Sequence, residues 1–175
     1  MTGTITLGFV NGYSTPWGED LADAVEEVFP RHSARLLHVR LDVDRFLAPE
    51  RRQHNATLIL AGLLRHVPDE HSKIVGITNL DLFIPVLTFV FGQAQLDGPG
   101  AVVSTFRLRN EYYGLPPDEG LLFERTAKEV VHELGHTFGL VHCDDYRCVM
   151  HASPYVEDVD VKEAALCRSC RQGVR

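Results

Sequence analysis

The amino-acid sequence predicts an α/β fold in which a mixed, twisted sheet carries helices and is followed by a small, irregular C-terminal subdomain. Strand-like apolar runs alternate with segments of helical periodicity before Gly139. Two neighbouring strand-like runs are joined by a short turn, which favours one antiparallel pair. After Gly139 the regular pattern ends, and all four cysteines lie there. A chain of 175 residues fits one domain. We expect an N-terminal subdomain over residues 1–139 and a C-terminal subdomain over residues 140–175.

The first half of the chain is predicted to alternate between strands and helices. A strand begins at Ile5, and a helix follows Pro16, with apolar residues at helical spacing until Pro30 ends it. Alternation of this kind favours parallel strands. The remaining predicted elements of this half are a strand from Ala34 to Val43, a helix from Pro49 to about Val67 with Pro49 near its first turn, and a strand from Lys73 to Thr78.

The second half begins with a predicted hairpin. Strand-like runs from Phe89 to Leu96 and from Ala101 to Leu108 flank the turn-forming sequence DGPG, and one of them should be an edge strand. A loop rich in Tyr, Gly and Pro then leads to a helix from Glu124 to Phe138, whose apolar residues recur at core spacing. Gly139 is suited to end that helix. We expect one further short helix that ends near Cys167.

Composition and charge exclude several classes of function. The formal net charge is −7 and the pI is about 5.7, which argues against a nucleic-acid-binding surface because that needs concentrated basic residues. The longest apolar stretch is interrupted by Pro85 and Thr88 and is too short to span a bilayer. The N-terminus lacks the basic and apolar regions of a signal peptide. We therefore expect a monomeric, cytoplasmic protein that binds neither nucleic acid nor a membrane.

A histidine motif in the last predicted helix indicates a metal site. The run HELGHTFGLVH contains His132, His136 and His142. Residues four apart share a helix face, so the first two imidazoles can bind one ion. Gly139 can adopt the left-handed conformation that turns the chain, which allows His142 to become a third ligand. Three imidazoles leave one position open for water, which is typical of a catalytic zinc site. The alternative is a helix with incidental histidines on a partly exposed face.

Glu133 follows the first of these histidines and is the candidate general base. It projects about 100° away from His132 around the helix axis, towards the water side of the metal. Zinc lowers the pKa of a bound water towards about 7, and a neighbouring carboxylate can accept the proton. Transfer of that proton to a leaving amine completes the hydrolysis of a peptide bond. We therefore expect a peptide or a flexible protein segment as the substrate.

The four cysteines form a second candidate metal site. Cys143 and Cys148 are separated by four residues, and Cys167 and Cys170 form a C-x-x-C pair. This spacing matches a tetrahedral four-thiolate zinc site, which has no open position and is structural. The alternatives are two disulfides or free thiols, and disulfides need an oxidising compartment. We expect two zinc ions per chain, one catalytic and one structural. Because Cys143 directly follows His142, the two sites share a backbone segment.

The sequence from His132 to Cys170 resembles a known family. The extended H-E-x-x-H-x-x-G-x-x-H run is similar to that of the metzincin clan, and Met150 sits where those proteins place their Met-turn, a methionine beneath the metal. The cysteine directly after the third histidine and the final C-x-x-C pair are similar to the archaemetzincin family. The resemblance implies an α+β zincin-like fold, with a mixed sheet above the metal and a zinc-stapled subdomain below. It also implies a substrate along an edge strand, here between Phe89 and Gln95.

Three functions remain open on the sequence alone. The first is a zinc metallopeptidase, the second is a non-catalytic zinc protein that binds peptides in a metzincin-like cleft, and the third is a hydrolase of another amide. Met150 could be an ordinary core methionine. Tyr155 could stabilise a transition state, as a tyrosine after the Met-turn does in some metzincins. His151 and His71 could approach the cleft, although a solvated surface position is the simpler interpretation of both.

Overall fold

Within residues 3–174, which the computed structural model describes, two sheets and five α-helices build the fold. The strands in chain order are β1 (Thr4–Val10), β2 (Ser33–Val39), β3 (Leu47–Ala48), β4 (Gln53–Asn55), β5 (Lys73–Thr78), β6 (Leu82–Phe83), β7 (Gly92–Ala94) and β8 (Gly100–Ser104). The helices are α1 (Gly18–Val28), α2 (Ala56–Leu63), α3 (Glu119–Thr137), α4 (Val156–Val161) and α5 (Arg168–Gly173).

The main sheet has five strands in the order β2-β1-β5-β8-β7. β1 pairs in parallel with β2 and β5, and β5 pairs in parallel with β8, whereas β7 is antiparallel to β8. This hairpin places β7 at the edge of the sheet, while β3, β4 and β6 form a second, small sheet. The predicted α/β class, the mixed sheet and the antiparallel edge pair are therefore confirmed.

One hydrophobic core joins the main sheet to the C-terminal part of the chain. Leu7 of β1 and Leu134 of α3 are fully buried in the same cluster as Val149 and Met150. Removal of this apolar surface from water stabilises the packing of residues 140–175 against α3. The division into subdomains at residue 139 stays a prediction.

The helix predicted from Pro49 begins later than expected. α2 starts at Ala56, and the Asn55 side chain caps it by accepting hydrogen bonds from the amides of Thr57 and Leu58, at 3.0 and 3.3 Å. Asparagine is favoured at this position because its oxygen satisfies amides that have no partner in the first turn. The preceding residues form β3 and β4, which are too short to show a periodic pattern. The predicted start at Pro49 is therefore wrong.

Other boundaries also differ from the prediction. α3 begins at Glu119 rather than Glu124, because the Asp118 side chain accepts a hydrogen bond of 2.9 Å from an amide of the first turn. The short helix expected to end near Cys167 is wrong as well, because α4 ends at Val161 and Cys167 is the N-cap of α5. β2, β7 and β8 span fewer residues than the predicted strands.

α3 is the element that carries the motif, and it packs against β7 and β8 at the edge of the main sheet. Its buried face includes the first histidine and the glutamate of the motif. None of the helices within residues 3–174 is long and apolar enough to cross a membrane.

Candidate metal centres

The end of α3 and the turn after it carry three candidate metal ligands. His132 is buried on α3, one turn before His136, and α3 ends at Thr137. Gly139 follows with a φ of +87°, a left-handed conformation that glycine adopts without a steric penalty. The turn brings the ring of His142 to face the other two, with centroid distances of 5.3 Å to His132 and 5.0 Å to His136.

The three imidazoles converge on one point. Each offers one ring nitrogen, and these nitrogens all lie within 4.8 Å of one another. The Nε2 atoms of His132 and His136 are 3.1 Å apart. Two nitrogens bound to one tetrahedral zinc ion, at bond lengths of 2.0–2.1 Å, are separated by about 3.4 Å. The spacing of the two helical histidines therefore fits a shared ion.

Main-chain carbonyls fix which ring nitrogen is free to bind the metal. Nδ1 of His132 donates to the carbonyl oxygen of Val149 at 2.8 Å, and Nδ1 of His136 donates to that of Leu140 at 2.8 Å. A carbonyl oxygen can only accept, so in the neutral rings both protons lie on Nδ1 and both Nε2 atoms carry lone pairs. Two lone pairs that face each other at 3.1 Å repel unless a cation lies between them. This arrangement fits a bound metal ion, and a carbonyl partner on the second nitrogen is usual for a histidine ligand.

The surroundings keep the imidazoles neutral. Burial lowers the pKa of His132 well below its ordinary value, and it also lowers the pKa values of His136 and His142. The ammonium group of Lys162 lowers the same three pKa values further. Neutral imidazole is the form that binds a metal ion.

Glu133 lies beside the three histidines in a tightly enclosed position. Its side chain is buried, and burial together with the charge of Glu129 raises its pKa well above the ordinary value, while Lys162 opposes this effect. A Cβ atom added to Gly92 on β7 would lie 2.7 Å from Cγ and from Oε1 of Glu133. The edge strand and the carboxylate are therefore in close contact. A cavity of about 400 Å³ between β7 and the metal ligands is bordered by both Gly92 and Glu133.

Met150 packs directly beneath the helix that carries the ligands. It is fully buried, and a Cβ atom added to Gly135 of α3 would overlap its sulfur atom. Gly135 lies between His132 and His136 in sequence, so the methionine contacts the turn from which both project. The position agrees with the Met-turn that the resemblance implies, and the supporting role of Met150 stays a prediction.

The four cysteines also converge, although they are spread over 28 positions of the chain. Their sulfur atoms all lie within 4.8 Å of one another, and those of Cys143 and Cys167 are 3.9 Å apart. A disulfide requires about 2.05 Å, whereas two sulfurs on one tetrahedral zinc ion are separated by about 3.8 Å. All four thiols are free in the structure. The donor set and spacing therefore fit a four-thiolate zinc site better than two disulfides.

The two candidate centres share one backbone segment. His142 is followed directly by Cys143, whose amide donates to the carbonyl of Met150 at 3.0 Å. The carbonyl of Cys143 in turn accepts a hydrogen bond of 2.8 Å from Nδ1 of His151. Met150 and His151 thus hold the loop that carries the third histidine, through both the amide and the carbonyl of Cys143.

Comparison with known proteins identifies the family. A model described as peptidase family M54 matches residues 33–175. The chain belongs to peptidase family M54. The archaemetzincin of Methanocaldococcus jannaschii is 45% identical over 120 residues, which cover 69% of this chain and 65% of that protein, just under two thirds. The archaemetzincin of Methanopyrus kandleri is 40% identical over 159 residues, 87% of each protein.

Solved structures agree with the M54 assignment. The crystal structure of the Methanopyrus kandleri archaemetzincin superposes with a TM-score of 0.85 at 35% identity, over 98% of this chain and 92% of that one. The predicted resemblance to archaemetzincins and the predicted zincin-like fold are therefore confirmed. Membership of this chain in the family, together with its histidine and cysteine clusters, supports zinc as the metal.

The remaining predicted residues of this M54 chain fall into different surroundings. Tyr155 is exposed and lies on the wall of a cavity that His132, Glu133 and His142 also border. His151 is held near the cysteines by the hydrogen bond from its Nδ1 to the carbonyl of Cys143. Its ring is half-buried and is not a free surface group. His71 is exposed beside Glu70, with 3.6 Å between Nε2 and Oε1, and does not border the cavities around the histidine cluster.

Three residues of the site were not predicted from the sequence. Gly92 carried a usable signal, because a glycine inside a strand often marks a close approach. Glu129 did as well, since it precedes Glu133 by one helical turn and shares its face. Lys162, which lies 2.9 Å from Glu129, carried none, because no local spacing links the two positions.

Proposed function

We propose that this chain is a zinc-dependent peptidase whose catalytic metal is held by Nε2 of His132, Nε2 of His136 and the ring of His142. The observation that carries the proposal is the convergence of three neutral imidazoles beside a buried carboxylate. When bound there, zinc would supply a Lewis acid that polarises a carbonyl group and acidifies water. The family model is described as a peptidase, which supports the same reaction class.

Glu133 is proposed to accept and return the proton of the reaction. It borders the same cavity as His132 and His142, so its carboxylate faces the place where substrate and water meet. Burial raises its pKa, which makes the carboxylate a stronger base than an exposed glutamate. Glu133 therefore takes a proton from the attacking water and later gives it to the leaving amine.

The open edge of β7 is proposed to orient the substrate. Gln93 and Val102 face each other as a hydrogen-bonded pair of the antiparallel ladder. This follows because the amide of Ser104 donates to the carbonyl of Phe91, the amide of Gln95 donates to the carbonyl of Gly100, and hydrogen-bonded pairs alternate along such a ladder. Gly92 and Ala94 accordingly direct their amides and carbonyls away from β8, towards the open edge. An extended peptide can bind these groups as an added strand, which would place its backbone over the histidines.

Cys143, Cys148, Cys167 and Cys170 are proposed to hold a second, structural zinc ion. Four thiolates fill a tetrahedral ion completely and leave no position for a substrate. This ion would connect α5 to the loop that carries His142. The total of two zinc ions per chain belongs to this proposal, and the cytoplasmic location, the monomeric state and the lack of nucleic-acid binding stay predictions.

The Glu133→Ala variant tests the peptidase against the alternative of a non-catalytic zinc protein. Both zinc ions should remain, because Glu133 is not a proposed ligand, whereas hydrolysis of a peptide library followed by mass spectrometry should be lost. Cleavage of amides other than peptides by the wild type would favour a different hydrolase. Hydrolysis that is equal in the variant and the wild type would contradict the role of Glu133.

A further inference from the structure

A second cavity adjoins the histidine cluster on one side. It has a volume of about 500 Å³ and lies between residues 87–92, which lead into β7, and residues 152–155, which follow Met150. His132, Glu133 and His142 border it directly. A substrate bound at the proposed metal centre therefore places a neighbouring side chain in this cavity.

The direction of β7 shows which substrate residue this is. The cavity lies at the N-terminal end of β7, beside Gly92, whereas Ala94 lies at the other end of the strand. A peptide that adds antiparallel to β7 runs in the opposite sense, so its C-terminal part passes the cavity. For a peptide bound in this antiparallel sense, the side chain that enters belongs to the residue that follows the scissile bond.

Most of the cavity wall is apolar, and the space is large enough for a bulky side chain. The apolar residues that line it are Leu87, Phe89, Val90, Phe91, Ala152, Pro154 and Tyr155.

One acidic side chain besides Glu133 also borders the cavity, and its charge is balanced by a lysine that does not line the cavity. Glu129 is buried on α3, and its Oε1 lies 2.9 Å from Nζ of Lys162. The Lys162 side chain is completely buried and does not line the cavity, and it also donates to the carbonyl of His151 at 3.4 Å. Because a buried ion pair is often no more stable than apolar residues of the same size, stability alone does not explain this pair.

We propose that this cavity selects a bulky, uncharged side chain of the substrate, and that Lys162 sets this selectivity by neutralising Glu129. The inference rests on the peptidase function proposed above and names the substrate class of the same site. A cationic side chain would lose its hydration in the cavity and find the Glu129 carboxylate already paired. An anionic side chain would meet the Glu133 carboxylate and find the Lys162 ammonium group already paired.

Peptide hydroxamates test the selectivity without relying on turnover, because the hydroxamate binds the metal and fixes the register. The probes carry leucine, methionine, lysine or glutamate at the position that enters the cavity, and methionine and lysine differ mainly in charge. We expect the zinc-loaded wild type to bind the leucine and methionine probes at least about tenfold more tightly than the charged ones. Equal affinities, preference for a charged probe, or no binding of any probe would overturn the inference.

Charge variants of the pair identify its role. Lys162→Met leaves Glu129 unpaired and should shift the ratio of methionine to lysine affinity towards lysine by about tenfold or more. Glu129→Gln, which leaves the ammonium unpaired, should instead shift affinity towards glutamate. The double variant Glu129→Gln/Lys162→Met should keep the wild-type preference, because both charges are gone. Lys128→Met is the matched control and should leave the ratios unchanged. Lys128 lies next to Glu129 on α3, donates to two main-chain carbonyls and has no carboxylate partner in the described structure.

The outcomes separate the two proposals. If the wild type cleaves no peptide while the methionine probe still binds more tightly than the lysine probe, the peptidase function fails and the selectivity of the cavity stands. If peptides are cleaved but Lys162→Met and Glu129→Gln both keep the wild-type ratios, the role of Lys162 is refuted and the peptidase function stands. If Lys162→Met does not fold, Glu129→Gln alone decides the role of the pair.

Discussion

At Gly92 the absence of a side chain leaves the space that the Glu133 carboxylate occupies. A Cβ atom there would lie 2.7 Å from Oε1 of Glu133 and 2.8 Å from the carbonyl oxygen of Val102. Both distances are shorter than non-bonded carbon and oxygen atoms tolerate, and the backbone of Val102 is fixed by the sheet. The β7 backbone at Gly92 and the Glu133 side chain would therefore both have to shift.

Gly92→Ala should therefore lower catalysis while both metal ions remain. A displacement of about 1 Å in a catalytic group commonly costs about 100-fold in rate, and we expect a loss of kcat of that order. Peptide hydrolysis and zinc content would be measured on the same preparation. The matched control is Gly120→Ala near the start of α3, where the added Cβ would meet only Asp118 Oδ1, at 3.5 Å. Wild-type activity in Gly92→Ala would contradict the positioning role.

Among the elements, the turn that ends α3 makes the histidine cluster possible. Gly139 adopts a φ of +87°, and without this turn a straight helix would carry His142 away from the other rings. The site thus depends on one backbone conformation that residues other than glycine adopt at a cost of about 1–2 kcal/mol.

Gly139→Ala should weaken zinc binding at the histidine site and leave the cysteine site occupied. Gly114 provides the control, because its φ is +75° and nothing lies within 4 Å of an added Cβ. Both variants should lose about 1–2 kcal/mol of unfolding free energy from the backbone alone. Only Gly139→Ala should lose affinity in competition with a zinc chelator. Equal zinc affinity in the two variants would show that the turn does not position His142.

At the scale of the whole molecule, the two candidate metal centres share the segment from His142 to Met150. The contacts of Cys143 with Met150 and with His151 hold this segment on the core beneath α3. Loss of the cysteine-bound ion should loosen the segment and with it the third histidine.

Cys170→Ser should accordingly lower zinc affinity at the histidine site, although Cys170 contributes no atom to it. The affinity would be measured by chelator competition, with Ser169→Ala as a neighbouring variant that removes no proposed ligand. Catalytic zinc occupancy equal to that of the wild type in Cys170→Ser would refute the coupling.

The parts of the molecule that local spacing determines were predictable from the sequence. The proximity of His132 and His136 follows from helical periodicity, and the role of Gly139 follows from its backbone freedom. The pairing of Glu129 with Lys162 was not predictable, because residues from separate elements meet only through tertiary packing.

Short or competing local signals explain the errors in the fold. β3, β4 and β6 have two or three residues each, which is too few to establish a period of two. The start of α2 was misplaced because Pro49 and Asn55 both resemble a helix N-terminus, and only Asn55 makes the capping hydrogen bonds.

Zinc stoichiometry tests the central account most directly. Elemental analysis of the wild-type protein should give about two zinc ions per chain, and His136→Ala should give about one, because only the histidine site loses a ligand. Circular dichroism would confirm that the variant is folded. An unchanged zinc content in folded His136→Ala would contradict the assignment of the three imidazoles to one catalytic ion.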